Sequence, residues 1–261
     1  MESGVFFSDG GKMIQSGIIV ASGVDAFKQV NFNAGGFPSL SEYSVVSHVQ
    51  TYNDDSFVKT RQKVGDQFGY SVALEQIGGG LDHVHGQEQI GWFAVESGVG
   101  VIGGLSFEAG RTPQTVDHTD FSLSFSTFTA VPSLFASIAT FVGSDACQLR
   151  GREVTAAGAT IFVQEETCGD DEVAHPNPEA VNYFAIDAAS APRIKANVQQ
   201  LFTQGARSDF GEVGSVTSIN NPDQEQAWTH IVLENDYEDP VRGPLHPPIN
   251  LPKQPSYCPK S

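Results

Sequence analysis

The chain has 261 residues, the length of two ordinary domains, with 14 basic and 31 acidic residues and a formal net charge of -17. That charge repels phosphate backbones and anionic membranes, so nucleic acid is excluded as an expected partner. The apolar runs are far shorter than the about 20 residues of a membrane span, which excludes membrane insertion. Frequent glycine (27) and proline (14) favour short strands and turns, so we predict an all-β protein.

The first segment, residues 1–24, lacks the basic and apolar regions of a signal peptide. Its motif Glu-Ser-Gly at 2–4, followed by Gly-Gly at 10–11, is similar to 96–98 followed by 103–104. We therefore interpret residues 1–24 as the end of a preceding repeat and a lead-in. On this hypothesis the chain is a piece of a longer array, or a protomer whose ends complete its neighbours.

Two copies of one module follow. Residues 45–77 align with 134–166 at a constant offset of 89, and residues 83–96 align with 173–187 after a small indel. The alignment superposes Thr51 on Thr140, Arg61 on Arg150, Lys63 on Arg152, Gly69 on Gly158, His85 on His175, Glu88 on Glu179, Trp92 on Tyr183 and Ala94 on Ala185. The sequence thus predicts repeat 1 at 25–98 and repeat 2 at 117–190.

Each copy shows period-two alternation bounded by turn residues, which is typical of strands. The residues predicted to face a core are Val30, Phe32, Val72, Leu74, Leu123, Phe125, Ile161 and Val163. A hairpin is predicted at Ala157-Gly158, with the glycine supplying a positive φ. Five or six strands a copy predict tandem antiparallel β-sandwiches.

The remaining segments are predicted to be connectors at 99–116 and 191–226, the start of a third copy at 227–242 and a proline-rich tail at 243–261. The third copy has one alternating strand and too little sequence after it to complete a sandwich. We predict that this strand packs against a neighbouring protomer through Trp228, Ile231, Leu233 and Tyr237.

Three stretches of the second copy carry a family resemblance: LRGREVTAAGATIFVQEE at 149–166, the acidic loop with a histidine, and EAVNYFAI at 179–186. Together they resemble the H-type lectin module and its lectin-like tandem relatives. The first copy is similar but more diverged. This resemblance implies a six-stranded antiparallel sandwich, an extracellular location, oligomerisation and, in the true lectins, recognition of GalNAc-type sugars by loop residues.

Cys147 and Cys168 each lie about ten residues from the predicted hairpin turn, so a cross-strand disulfide is expected; the alternative is two reduced thiols. Cys258 is left over.

The loop before the last strand of each copy contains five candidate carbohydrate-binding residues: Asp82, His83, His85, Asp171 and His175. The alternative is that these histidines are solvated loop residues. Trp92 and Tyr183 are interpreted as packing residues, with sugar stacking as the alternative.

A basic stripe is predicted on one strand face of each copy, where it pairs with glutamates on the adjacent strands. It consists of Lys59, Arg61 and Lys63 in the first copy and of Arg150 and Arg152 in the second. No hydrolase motif, P-loop or nucleophile triad is present, so no enzyme and no cofactor is predicted. Acidic loops are compatible with calcium, but no calcium-binding motif supports it.

These features predict a non-catalytic extracellular protein whose repeats self-associate head to tail into a surface appendage or fibril. A carbohydrate-binding lectin is the alternative, with glycans as partners. A hydrolase ranks third, because no catalytic carboxylate pair can be singled out.

Overall fold

The computed structural model describes residues 3–32, 36–37, 43–76, 85–143, 145–167 and 172–188. The regular elements in these ranges are all strands. They are β1 (Ser3–Phe7), β2 (Met13–Ala21), β3 (Lys28–Asn31), β4 (Tyr43–Val49), β5 (Val58–Val64), β6 (Gly69–Gln76), β7 (Glu88–Glu96), β8 (Gly98–Ile102), β9 (Leu105–Arg111), β10 (Phe121–Ser124), β11 (Pro132–Ile138), β12 (Cys147–Thr155), β13 (Gly158–Glu165) and β14 (Val181–Asp187). The described part of the chain contains no helix able to cross a membrane.

The strands form four antiparallel sheets, two in each half of the described chain. The N-terminal sandwich has the orders β1-β2-β7-β4 and β3-β6-β5, and the C-terminal sandwich has β8-β9-β14-β11 and β10-β13-β12. Adding seven to each strand number of the first half gives the order of the second. The fold is therefore all-β, as the composition predicted, and each half has seven strands rather than five or six.

Alternating apolar residues build a separate core inside each sandwich. All eight residues predicted to face a core are buried. Trp92 lies in the first of these cores, and Tyr183 packs against the second, in agreement with the packing interpretation of both side chains.

The boundaries drawn from the sequence are wrong at the start of each sandwich. Residues 1–24 and 99–116 were predicted to be a lead-in and a connector, but they contain the hairpins β1–β2 and β8–β9. β2 pairs with β7 and β9 pairs with β14, so each hairpin belongs to the sandwich that follows it. The similar glycine motifs mark equivalent turns, where Gly11, Gly103 and Gly104 adopt positive φ.

Gly158 has a different role from the one predicted. It is the first residue of β13 and does not have a positive φ. A Cβ at this position would lie 2.2 Å from the Leu123 carbonyl oxygen, and one at Gly69 would lie 2.0 Å from that of Val30. Both aligned glycines are therefore required because a neighbouring backbone approaches closely.

A third core joins the two sandwiches through the outer faces of their four-stranded sheets. It consists of Ile14, Val95, Leu105, Phe107, Ala109, Phe184 and Ile186. Phe93 and Phe184, which occupy equivalent positions on β7 and β14, meet edge to face with ring centroids 5.2 Å apart. The two four-stranded sheets thus pack back to back in one continuous body.

The predicted segments 191–226, 227–242 and 243–261 lie outside the described residues. The same is true of Cys258 and of the four assembly residues Trp228, Ile231, Leu233 and Tyr237.

Candidate functional site

One buried glutamate in each sandwich holds the loop that follows β4 or β11. In the N-terminal sandwich, Glu88 accepts a hydrogen bond from the Thr51 hydroxyl and from the backbone N–H groups of Asn53 (2.8 Å) and Asp54 (3.2 Å). Gln89 N–H donates back to Thr51 Oγ1 at 2.7 Å. A carboxylate with several such donors fixes the loop without a metal ion.

Glu179 does the same in the C-terminal sandwich. It accepts from the Thr140 hydroxyl and from Val142 N–H at 3.0 Å, and Ala180 N–H donates to Thr140 Oγ1 at 2.8 Å. The residues that the sequence alignment superposed therefore occupy equivalent positions. The sequence analysis did not predict that these glutamates hold the loops. The available signal was that both copies contain an aligned glutamate and an aligned threonine, Glu88 with Thr51 and Glu179 with Thr140.

Unlike Glu88, Glu179 also pairs with an arginine from the other sandwich. Arg61, on β5, is 1% exposed and lies 2.6 Å from Glu179 and 3.0 Å from Glu75. Its Nη1 also donates to Cys147 Sγ at 2.6 Å. Two carboxylates surround one guanidinium, so the buried charges are compensated across the sandwich interface.

His175 lies beside this arginine and is fully buried. Its Nδ1 is 2.7 Å from Glu165 Oε1 and its Nε2 is 3.5 Å from Glu179 Oε1. Burial opposes protonation, but the Cys147, Glu179 and Glu165 side chains around the ring outweigh it and raise the pKa of His175 to about 10. The imidazole is therefore a cation at neutral pH. We call Arg61, Glu75, Cys147, Glu165, His175 and Glu179 the interface cluster.

Contacts along β5 extend this interface. Val64 N–H donates to the Ala139 carbonyl at 2.8 Å, which pairs the β5 edge with the opposite sandwich. The Lys63 ammonium lies 3.9 Å from the ring centroid of Phe27 and 4.9 Å from that of Phe141. Burial lowers the pKa of Lys59, which contacts Glu75, to about 8.

The predicted basic stripe thus has different surroundings in the two copies. In the second copy its members are exposed: Arg150 donates to Gln164 at 3.0 Å, and Arg152 pairs with Asp120 at 3.0 Å. In the first copy Lys59 and Arg61 both pair with Glu75 across the strands as predicted, and Arg61 is in addition buried at the interface. Only tertiary packing distinguishes Arg61 from the aligned Arg150.

Two candidate sugar-binding histidines are buried, contrary to both sequence interpretations. His85 is 4% exposed, with its Nε2 3.1 Å from the Ser56 carbonyl, and His175 is 0% exposed. Neither ring is available to a ligand in solvent, because both are buried. Asp82, His83 and Asp171 lie outside the described residues.

Cys147 is a free, buried thiol rather than half of the predicted disulfide. The β12–β13 register places it opposite Glu165, three residues before Cys168, and its sulfur faces Arg61. Cys168 itself lies outside the described residues. Among the described residues, no group of three or more His, Cys, Asp or Glu side chains is arranged to hold a metal ion.

A cleft of about 520 Å³ opens between the sandwiches, next to the interface cluster. One wall is the loop at residues 51–57, and the other is formed by β11 and the start of β12. Tyr52 and Phe57 line it and are 69% and 65% exposed.

The chain is similar to Halomucin. The two sequences are 30% identical over 192 residues, which cover 72% of this chain and 2% of Halomucin, from Haloquadratum walsbyi. The chain thus spans a very small part of that protein's length. No family model matches the sequence, and no solved structure matches the chain.

Proposed function

We propose that this chain is a non-catalytic structural segment of an extracellular, cell-surface protein, in which rigid pairs of β-sandwiches associate with identical neighbours into an appendage or fibril. The fused interface is the observation that carries the proposal. An apolar core and a compensated ion cluster together fix one orientation of the two sandwiches. A segment that keeps a fibril extended or carries force needs such a rigid interface, whereas independent domains move relative to each other.

The similarity to Halomucin supports the extracellular part of this proposal. Mucins are extracellular surface proteins, and a segment that matches 2% of such a chain is suited to be one structural unit among many. The acidic composition is compatible with a solubilising surface coat.

Exposed apolar residues on equivalent edge strands support self-association. Val5 (39% exposed) and Phe7 (55%) lie on β1, and Val99 (52%) and Val101 (37%) lie on β8. β1 and β8 are each the first strand of a four-stranded sheet. Edge strands with apolar side chains readily add a strand from another chain, and a second copy of this chain offers the same surface.

Light scattering and negative-stain electron microscopy of the full chain test the proposal. We expect filaments or higher oligomers, and expect the double variant Phe7→Lys, Val99→Lys to dissociate them. Phe68→Lys is the matched control, because Phe68 is 54% exposed but lies in a turn. Deleting residues 227–261 measures the contribution of the predicted third-copy strand. A monodisperse monomer for the unmodified chain would refute self-association.

A lectin of the H-type class remains the second candidate function. The observation in its favour is the cleft with exposed aromatic side chains, not the histidines that their position in the loop before the last strand suggested.

A further inference from the structure

The two exposed rings of the cleft, Tyr52 and Phe57, are carried by a backbone that hydrogen bonds hold in place. Glu88 accepts from the N–H groups of Asn53 at 2.8 Å and Asp54 at 3.2 Å, which lie between the two rings in the sequence. A fixed backbone lowers the entropy cost of binding, so these rings are suited to receive another surface.

In the C-terminal sandwich the chain itself covers the ring that is aligned with Tyr52. Phe141 packs edge to face on Phe27 with ring centroids 5.3 Å apart, and the Lys63 ammonium lies 4.9 Å from the Phe141 centroid. The space beside Tyr52 is the open cleft. A covered ring of this loop is thus accommodated by an apolar group and a cation.

Apolar side chains line the cleft on both sides. They include Val49, Val58, Ile138 and Leu149. Lys59 and Arg61 also line it, but both are paired with glutamates. The volume of about 520 Å³ lies within the range of about 300–1,000 Å³ that is typical of ligand clefts. A ligand that fits this lining presents apolar groups, and no anion is needed to compensate the two cations.

The loop that carries the rings adds negative charge. The Asp54 carboxylate accepts from Ser56 N–H at 3.0 Å and from Gly86 N–H at 2.8 Å. These hydrogen bonds lower the pKa of Asp54 to about 2, so it is an anion at neutral pH. Asp55 is exposed and also lines the cleft. Beside the rings, the cleft therefore favours a ligand with a positive charge.

The proline-rich tail at 243–261, which lies outside the described residues, has the complementary sequence. It contains two Pro-x-x-Pro motifs, PLHP at 244–247 and PKQP at 252–255. Polyproline II has three residues per turn, so the two prolines of each motif share one face. Grooves lined by aromatic side chains bind this conformation, because it is already extended before binding and loses little entropy.

The tail is also cationic, in a chain that is otherwise acidic. It contains Lys253 and Lys260 and no aspartate or glutamate, whereas the whole chain has 31 acidic residues. Lys253 lies inside the second motif. Prolines packed on the aromatic rings would therefore bring a lysine close to the acidic loop, as Lys63 is close to Phe141.

The connection from the last described strand is long enough to reach the cleft. Asp187, at the end of β14, pairs with Pro132 at the start of β11, and Ile138 at the other end of β11 lines the cleft. The length of β11 separates these points by about 20 Å. A connection of about 55 residues spans about 40 Å at random-coil dimensions. Such a tether gives an effective concentration that a neighbouring chain in dilute solution does not match.

We infer that the tail at 243–261 docks in the cleft of its own chain, with its prolines packed on Tyr52 and Phe57. The lysine of the second motif then lies beside Asp54 and Asp55. This contact within one chain goes beyond the structural role proposed above and does not depend on self-association. A sugar that enters the cleft has to displace the tail.

Photo-crosslinking in the full chain tests the inference, with the photoreactive amino acid benzoyl-phenylalanine in place of Ser256. We expect cross-links, mapped by mass spectrometry, to cleft residues in the ranges 47–61 and 136–138. Their yield should fall at least about tenfold in the double variant Tyr52→Ala, Phe57→Ala, because buried aromatic side chains dominate such contacts.

Two further variants and an isotope mixture serve as controls. Phe68→Ala removes an exposed ring outside the cleft and should keep the yield. Pro252→Ala with Pro255→Ala should lower the yield, although it leaves both sandwiches unchanged. The cleft variants should keep the melting temperature, since the Glu88 hydrogen bonds reach the backbone and Thr51. In an equal mixture of isotopically light and heavy chains, contact within one chain joins only peptides of the same isotope.

Three outcomes would overturn the inference: no cross-link to the cleft, a yield that the double variant leaves unchanged, or cross-links that join light to heavy peptides. The last would assign the cleft to the tail of a neighbouring chain. Light scattering measures self-association separately, so failure of the tail contact and failure of the structural proposal are distinguishable.

Discussion

At the scale of single residues, Arg61 and Arg150 are aligned in sequence but differ in surroundings. Arg61→Met removes the cation that Glu75 and Glu179 share and leaves them only Lys59 and His175 as charged partners, so we expect it to lower the free energy of unfolding by about 3–5 kcal/mol. Arg150→Met, the matched control on an exposed strand face, should change it by less than about 0.5 kcal/mol. Urea unfolding monitored by fluorescence measures both. Equal effects would contradict the interface cluster.

The raised pKa of His175 predicts that stability falls as the pH rises through neutrality. Its folded-state pKa of about 10 exceeds the ordinary 6.5, so its contribution is complete below pH 6.5 and is lost as pH rises through 10. Folding lowers the pKa of Lys59 from the ordinary 10.5 to about 8, so its contribution to stability rises between pH 8 and 10.5. The net fall should therefore concentrate between pH 6.5 and 8, with a slope of at most about 1.4 kcal/mol per pH unit.

Urea midpoints measured across this range test the prediction, with His175→Gln as the comparison. The variant should be less stable at pH 6 and should lose the slope. A variant that keeps the full slope would show that another group titrates.

At the scale of elements, close backbone approach between β10 and β13 limits what position 158 can accept. Gly158→Ala places a methyl group 2.2 Å from the Leu123 carbonyl oxygen, and we expect a loss of about 1–3 kcal/mol as the strands separate. Gly151→Ala is the control on β12, because its Cβ meets nothing closer than 3.7 Å. It should be neutral or slightly stabilising. Thermal unfolding by circular dichroism compares the two, and equal melting temperatures would refute the steric explanation.

At the scale of the whole molecule, self-repulsion among the excess carboxylates should make stability depend on ionic strength. We expect the melting temperature to rise between about 0.01 and 1 M salt, as the Debye length falls from about 30 to 3 Å. NaCl and KCl should give the same rise at equal ionic strength. A melting temperature that falls with salt would instead show that the attractive pairs dominate.

The fused interface should also make the two sandwiches unfold together. Calorimetry of the unmodified chain should show one transition, because the third core and the interface cluster couple the halves. Phe184→Ala, which removes the ring in contact with Phe93, should lower stability by about 3–5 kcal/mol. Two resolved transitions in the unmodified chain would contradict the rigid joint.

The sequence by itself determined the all-β class and the residues that fill each sandwich core. Period-two alternation is a local property, so Val72, Leu74, Ile161 and Val163 could be assigned to the interior before any strand pairing was known. The hairpins β1–β2 and β8–β9 were missed because their membership depends on pairing with β7 and β14, which lie far along the chain.

Only the tertiary structure decided which repeated residues acquire a special role. Arg61 is buried because the second sandwich packs over β5, while Arg150 stays exposed. The histidines aligned at 85 and 175 are buried instead of facing solvent, and Tyr52 lines an open cleft while the aligned Phe141 is packed. Two similar sequences receive different neighbours when they fold against each other, and those neighbours set charge, burial and access.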